Sequence, residues 1–161
     1  MSKYLDIKLR SIKDEAIDFL YQVYHSTRVD ELGIRDWQTN ERDAFLQQQF
    51  KLQHIQYMQN YNNPSFDIIV FNGIDVGRLY VNRNEDDIRI IDITLLKEYR
   101  GQGIGRQLIG DLIEESEEKR IPLSLHVEHY NFAREWYKRL GFKEKEKRGV
   151  YIFMKRNIQN L

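Results

Sequence analysis

Ile88-Arg-Ile-Ile-Asp92-Ile-Thr-Leu-Leu96, followed by Lys97-Glu-Tyr and then Arg100-Gly101-Gln102-Gly103-Ile104-Gly105-Arg106, is the stretch that decides the fold. Its first part is rich in β-branched residues and reads as a buried strand. Its second part sets three glycines at alternate positions. Beyond it, Ile104, Leu108, Ile109, Leu112 and Ile113 recur at helical spacing and predict an amphipathic helix ending near Lys119-Arg120. A strand, a tight turn and a helix N-terminus in succession make an anion site, because free N–H groups and the positive end of the helix dipole converge there. The turn lacks the Gly-Lys-Ser/Thr of a P-loop, and Arg106 stands where G-x-G-x-x-G needs its last glycine. A nucleotide-binding protein is therefore disfavoured. The pattern that fits is R-x-x-G-x-G, filled by Arg100, Gly103 and Gly105.

Working outward, Tyr4 to Arg10 alternates apolar and polar residues as a half-buried strand does. Ser11 offers an N-cap to a helix running to about His25. Gly33 and the following Ile34-Arg35-Asp36-Trp37 interrupt, and Thr39 or Asn40 caps a second helix over Glu41 to Tyr61. Asn62-Asn63-Pro64 stops it. Phe66 to Phe71, the hairpin signal Asn72-Gly73, Ile74 to Val81 and Ile88 to Leu96 predict an antiparallel three-strand meander. After the glycine helix come a strand over Leu123 to Val127 and a helix from Asn131, with Gly141 at its C-cap. A strand from Phe142, a turn at Gly149 and a strand over Val150 to Met154 complete the chain. The predicted order is β-αα-βββ-α-β-α-ββ, an α+β (mixed α/β) fold with a mostly antiparallel sheet, one parallel crossover and flanking helices.

With 161 residues, 31% charged and 41% apolar, and a formal net charge of zero, the chain reads as one soluble domain over 1–161. Neither nucleic acid nor membrane is an expected partner. The absence of cysteine excludes disulfides, thiolate metal sites and a cysteine nucleophile. The opening Met1-Ser2-Lys3-Tyr4-Leu5-Asp6 lacks the apolar run of a signal peptide, so the expected location is cytoplasmic. His126-x-Glu128-His129 reads as polar surface rather than as a metal cluster, and no metal is expected.

The glycine turn, the element order, and Asn131-Phe-Ala133-Arg-Glu-Trp136-Tyr137-Lys-Arg-Leu-Gly141-Phe142 together resemble the GNAT superfamily of N-acetyltransferases. The second segment matches that family's N-x-x-A-x-x-(aromatic)-Tyr-x-x-x-Gly-Phe with one residue fewer between Asn and Ala. The resemblance covers nearly the whole chain, and before Phe66 it is only topological. It implies acetyl-CoA as cosubstrate. The pyrophosphate would rest on Gly101, Gln102, Gly103, Ile104, Gly105 and Arg106 with charge from Arg100. The pantetheine arm would lie along Leu95 and Leu96 and bond Asn131, a backbone N–H near Leu95 would serve the oxyanion, and Tyr137 would act as acid to the leaving thiolate. Apart from the family, Asn131 also reads as a helix N-cap and Tyr137 as a packed aromatic.

The base is less determined. Arg89 occupies the position where family members often carry glutamate, which leaves Asp92, Glu128, His126 and His129 as candidates. An aspartate among Ile90, Ile91 and Ile93 would also suit a salt bridge with Arg78 or Arg89. Acceptor contacts are expected from Glu31, Asp36, Trp37, Arg78 and Tyr80, with Tyr151 as a further position. The implied activity is transfer of an acetyl group to a primary amine of a small molecule or protein by direct attack in a ternary complex. The alternative is a non-catalytic acyl-CoA-binding module of the same fold. A homodimer through terminal strands is a possibility that the family suggests.

Overall fold

The structure is a computed structural model that describes residues 5–31 and 37–159, with the side chains of residues 30 and 31 outside the description. Strands β1 (Ile7–Ser11), β2 (Pro64–Phe71), β3 (Ile74–Arg83), β4 (Ile88–Leu95), β5 (Leu123–Glu128), β6 (Lys143–Arg148) and β7 (Tyr151–Arg156) form one sheet. Its order is β1-β2-β3-β4-β5-β7-β6. The helices are α1 (Ile17–Glu31), α2 (Thr39–Gln59), α3 (Ile104–Lys119) and α4 (Ala133–Arg139). The order matches the expected one, and β4–β5 is the single parallel pair among the described strands.

The Asn72-Gly73 turn joins Phe71 to its partner Ile74. Asn72 and Gly73 have φ of 49° and 81°, the paired positive values that a two-residue hairpin of right-handed twist requires. Two helix starts differ from expectation. Ser11 closes β1, and a 3-10 turn over Asp14–Ala16 leads into α1 instead. Thr39 lies inside α2, and Asn40 Oδ1 accepts the adjacent Glu41 N–H at 3.0 Å, so neither residue caps as anticipated.

The sheet separates two cores. On one face α3 and α4 cover Leu79, Val81, Ile88, Ile90, Leu123, Leu125 and Met154. On the other, Leu20 and Tyr24 of α1 and Leu46 and Phe50 of α2 cover Ile68 and Tyr80. At the far rim β6 reads Lys-Glu-Lys-Glu-Lys-Arg, and every residue of it is exposed.

Candidate active site

The parallel ladder between β4 and β5 holds for only Ile88↔Leu123, Arg89↔Ser124 and Ile90↔Leu125. Both strands continue past that point, β4 to Leu95 and β5 to Glu128. A wedge therefore opens between them, with Asp92 to Leu95 on one lip and His126 to Glu128 on the other. Arg89 closes its apex by donating Nε–H to Ser124 Oγ at 2.7 Å across the two strands.

The β4 lip is held against β3. Leu95 lies opposite Gly77, and the neighbouring Leu96 N–H donates to Val76 O at 2.8 Å. In an antiparallel ladder this register turns the N–H and C=O of Leu95 toward the wedge. Gly77 is required there, because a Cβ would sit 2.1 Å from Thr94 O. The Leu95 carbonyl accepts Arg100 Nε–H at 3.0 Å, so Arg100 folds back on the strand end instead of standing free.

A 3-10 turn over Lys97–Tyr99 leads into the glycine turn. Gly101 and Gly103 have φ of 75° and 89°, values that other residues seldom adopt. The first α3 bond is Gln107 N–H to Gly103 O at 3.0 Å, which leaves the earlier N–H groups at the helix tip without helical acceptors. Ile104 anchors the tip in the core with no exposed surface. Gln107 grips the start of the chain, accepting Leu5 N–H at 2.8 Å and donating to Leu5 O at 3.2 Å. Gln102 bonds Glu98 O at 2.9 Å, and the Arg106 side chain is exposed.

Asp92 resolves into the salt-bridge reading. Its Oδ2 accepts from Arg78 Nη2 at 2.8 Å and from Tyr57 Oη at 3.0 Å, and its Oδ1 accepts from Thr94 Oγ1 at 2.6 Å. The Arg78 and Asp92 side chains are only 4% and 13% exposed. Burial alone would lower the Arg78 pKa, but the Asp92 charge with Tyr80 and Tyr57 outweighs it and the value is raised. With three donors, one of them a guanidinium, the Asp92 carboxylate has the partners that the salt-bridge reading requires. Arg78 also donates to Gln53 Oε1 at 2.9 Å and lies over the Tyr57 and Tyr80 rings. Arg78 and Tyr80, expected to face the acceptor, are instead 3% and 0% exposed. The partners Gln53, Tyr57 and Thr94 carried no signal in the sequence, since two of them come from a helix whose register against the sheet is set by packing.

On the β5 lip, Glu128 is half-buried and bonded by Asn131 Nδ2–H at 3.0 Å. His126 has guanidinium groups at both ring nitrogens, Arg148 Nη1 at 3.0 Å and Arg89 Nη1 at 3.4 Å. Burial and these two charges lower its pKa, so it is a weak proton acceptor. His129 is exposed and stacks edge-on with Tyr130. Tyr137 rises from α4, 7% exposed, with Trp136 and Phe142 packed on its ring. Burial, followed by the charges of Asp92 and Glu128, pushes its hydroxyl up to about 12. The Tyr137 hydroxyl thus feels the charges of both Asp92 on β4 and Glu128 on β5.

Trp37 is 45% exposed and packs on Phe45 at the start of α2. Asp36 and the Glu31 side chain lie outside the described residues. Tyr151, paired with Glu128, is 40% exposed. Among the described residues no group of three or more acidic, histidine or cysteine side chains is placed to hold a metal ion. No helix among them is long and apolar enough to cross a membrane.

Residues 26–151 match the family model described as "Acetyltransferase (GNAT) domain". The chain belongs to the GNAT acetyltransferase family. A [ribosomal protein bS18]-alanine N-acetyltransferase of Haemophilus influenzae is 37% identical over 67 residues, which is 41% of this chain. The chain thus spans 46% of the length of that curated relative. Among solved structures, PaiA N-acetyltransferase from Thermoplasma acidophilum in complex with coenzyme A superposes with a TM-score of 0.69 at 17% identity, covering 95% of this chain and 99% of that one. The ribosomal-protein-S18-alanine N-acetyltransferase of Escherichia coli gives 0.65 at 20% identity, covering 96% of each. At these identities the structures attest the shared fold.

Proposed function

We propose that this chain transfers the acetyl group of acetyl-CoA to a primary amine by direct attack in a ternary complex. The observation that carries the proposal is the wedge between β4 and β5, set directly beside a helix tip with unpaired N–H groups. The tip suits a pyrophosphate, and the wedge admits an extended arm along Leu95 and Leu96. The Leu95 N–H then supports the oxyanion on the thioester carbonyl. Glu128 takes a proton from the ammonium, using the oxygen that Asn131 leaves free. The amine nitrogen bonds to the carbonyl carbon and the C–S bond breaks. Tyr137 holds a hydrogen bond on the departing sulfur. At about 12, its hydroxyl stays protonated beside a thiolate whose ordinary pKa is roughly 8.5. The sulfur takes up the proton that the acylated nitrogen sheds.

The similarity to a protein-alanine acetyltransferase makes peptide N-termini the first acceptors to try, alongside free polyamines and lysine peptides. The test is acceptor-dependent release of free thiol from acetyl-CoA across such a panel. Release with at least one class is expected. Binding of acetyl-CoA with no release for any acceptor would point to the binding module instead.

A further inference from the structure

Asn131 uses both ends of its amide inside its own loop. Its Oδ1 accepts Ala133 N–H at 2.9 Å, which caps α4 and fixes the orientation of the amide. That leaves Nδ2, which donates to Glu128 Oε2 at 3.0 Å. The backbone repeats the link, with Asn131 N–H donating to Glu128 O at 2.9 Å. A second turn follows, with Arg134 N–H donating to Asn131 O at 3.1 Å. Only Phe132 separates Asn131 from Ala133, so α4 starts at once and the asparagine is drawn into its cap. Among the described residues Glu128 Oε1 has no hydrogen-bond partner, so within them the carboxylate is held by one oxygen only.

We propose that Asn131 is a positioning residue for Glu128, aiming its free oxygen into the wedge. This rests on the reading of Glu128 as the base. An amide donor on one oxygen fixes the direction of the other, which is what a proton acceptor at a defined place needs.

The test uses Asn131→Ser, which keeps an acceptor for Ala133 N–H but has no amide to offer Glu128. Expected are a kcat about tenfold lower, an acidic limb of the pH–kcat profile moved to higher pH, and a CoA Kd within about twofold of the parent. Asn131→Asp retains cap and shape but sets a like charge beside Glu128, so its acidic limb moves further in the same direction. In a Glu128→Gln background, Asn131→Ser adds no further loss, because the group it positions is already gone. The proposal is overturned if Asn131→Ser weakens CoA about tenfold with an unmoved pH profile, or if its loss adds in full to that of Glu128→Gln. A Glu128→Gln enzyme with undiminished kcat removes the base assignment itself, a failure distinct from either of these. Thermal melts of each variant separate unfolding from these effects.

Discussion

The two lips of the wedge each carry a carboxylate, and the two are bound in opposite ways. On the β4 lip Asp92 accepts from Arg78, Tyr57 and Thr94 and is nearly sealed from solvent. On the β5 lip Glu128 is half-buried and accepts one side-chain bond, from Asn131. The first has the surroundings of a structural charge, and the second is the one proposed as the base. Asp92 joins α2 to the sheet, because Tyr57 and, through Arg78, Gln53 converge on it. The difference teaches that residue type and proximity to a reaction site do not assign a base. The count of occupied lone pairs does so better.

The comparison breaks most sharply at Glu128. Glu128→Gln is expected to lower kcat about 10³-fold with little change in stability, as read by steady-state kinetics and a urea melt. If the two carboxylates have the reverse roles, the melt moves and the rate stands. The next largest effect is at Asp92. Asp92→Asn leaves a buried guanidinium without its charge partner, so unfolding free energy falls by about 3 kcal/mol. The variant's residual activity keeps the acidic limb of the parent pH profile. A stable Asp92→Asn protein that has lost that limb would return the base to β4.

Tyr137→Phe gives the smallest change, a kcat about tenfold lower with CoA affinity retained. Its pH dependence has a definite sign. A hydroxyl raised to about 12 keeps its proton through the neutral and mildly alkaline range and loses it only as pH approaches that value. The ratio of parent to variant rates is therefore flat from about pH 7 to about pH 10, where an unperturbed tyrosine is already about half ionised. A ratio that already declines in this window contradicts the shielding that Asp92, Glu128 and burial impose.

The sequence reveals the parts of this molecule whose causes are local. The hairpin at Asn72-Gly73, the turn at Gly101 and Gly103, and the α3 face of Ile104, Leu108, Ile109 and Leu112 follow from positive φ and helical spacing. Asn131 as a cap follows from its place before a helix. Other features depend on residues far apart. The hub at Asp92 joins residues 14 and 35 positions away, so a sequence window around Asp92 shows a charge among isoleucines and no partners. The end of the β4–β5 ladder at Ile90↔Leu125 leaves no mark in either strand's composition. The start of α2 shows another limit. Thr39 and Asn40 have capping chemistry, but the chain enters the helix one residue earlier, through Gln38.

The rim strand β6 shows how far strand geometry can depart from strand composition. Lys143 to Lys147 alternate in charge and Arg148 follows, with none of the β-branched or aromatic character that favours sheets, and all but Lys145 pair with β7. Their extended form is imposed by that neighbour. The outer line of peptide groups is therefore fringed with ammonium, guanidinium and carboxylate groups that stay hydrated, so a passing strand would have to strip water from charge after charge to add itself there. Among the described strands the sheet ends at β6, and its charged fringe sets a solvation barrier to further pairing at that edge.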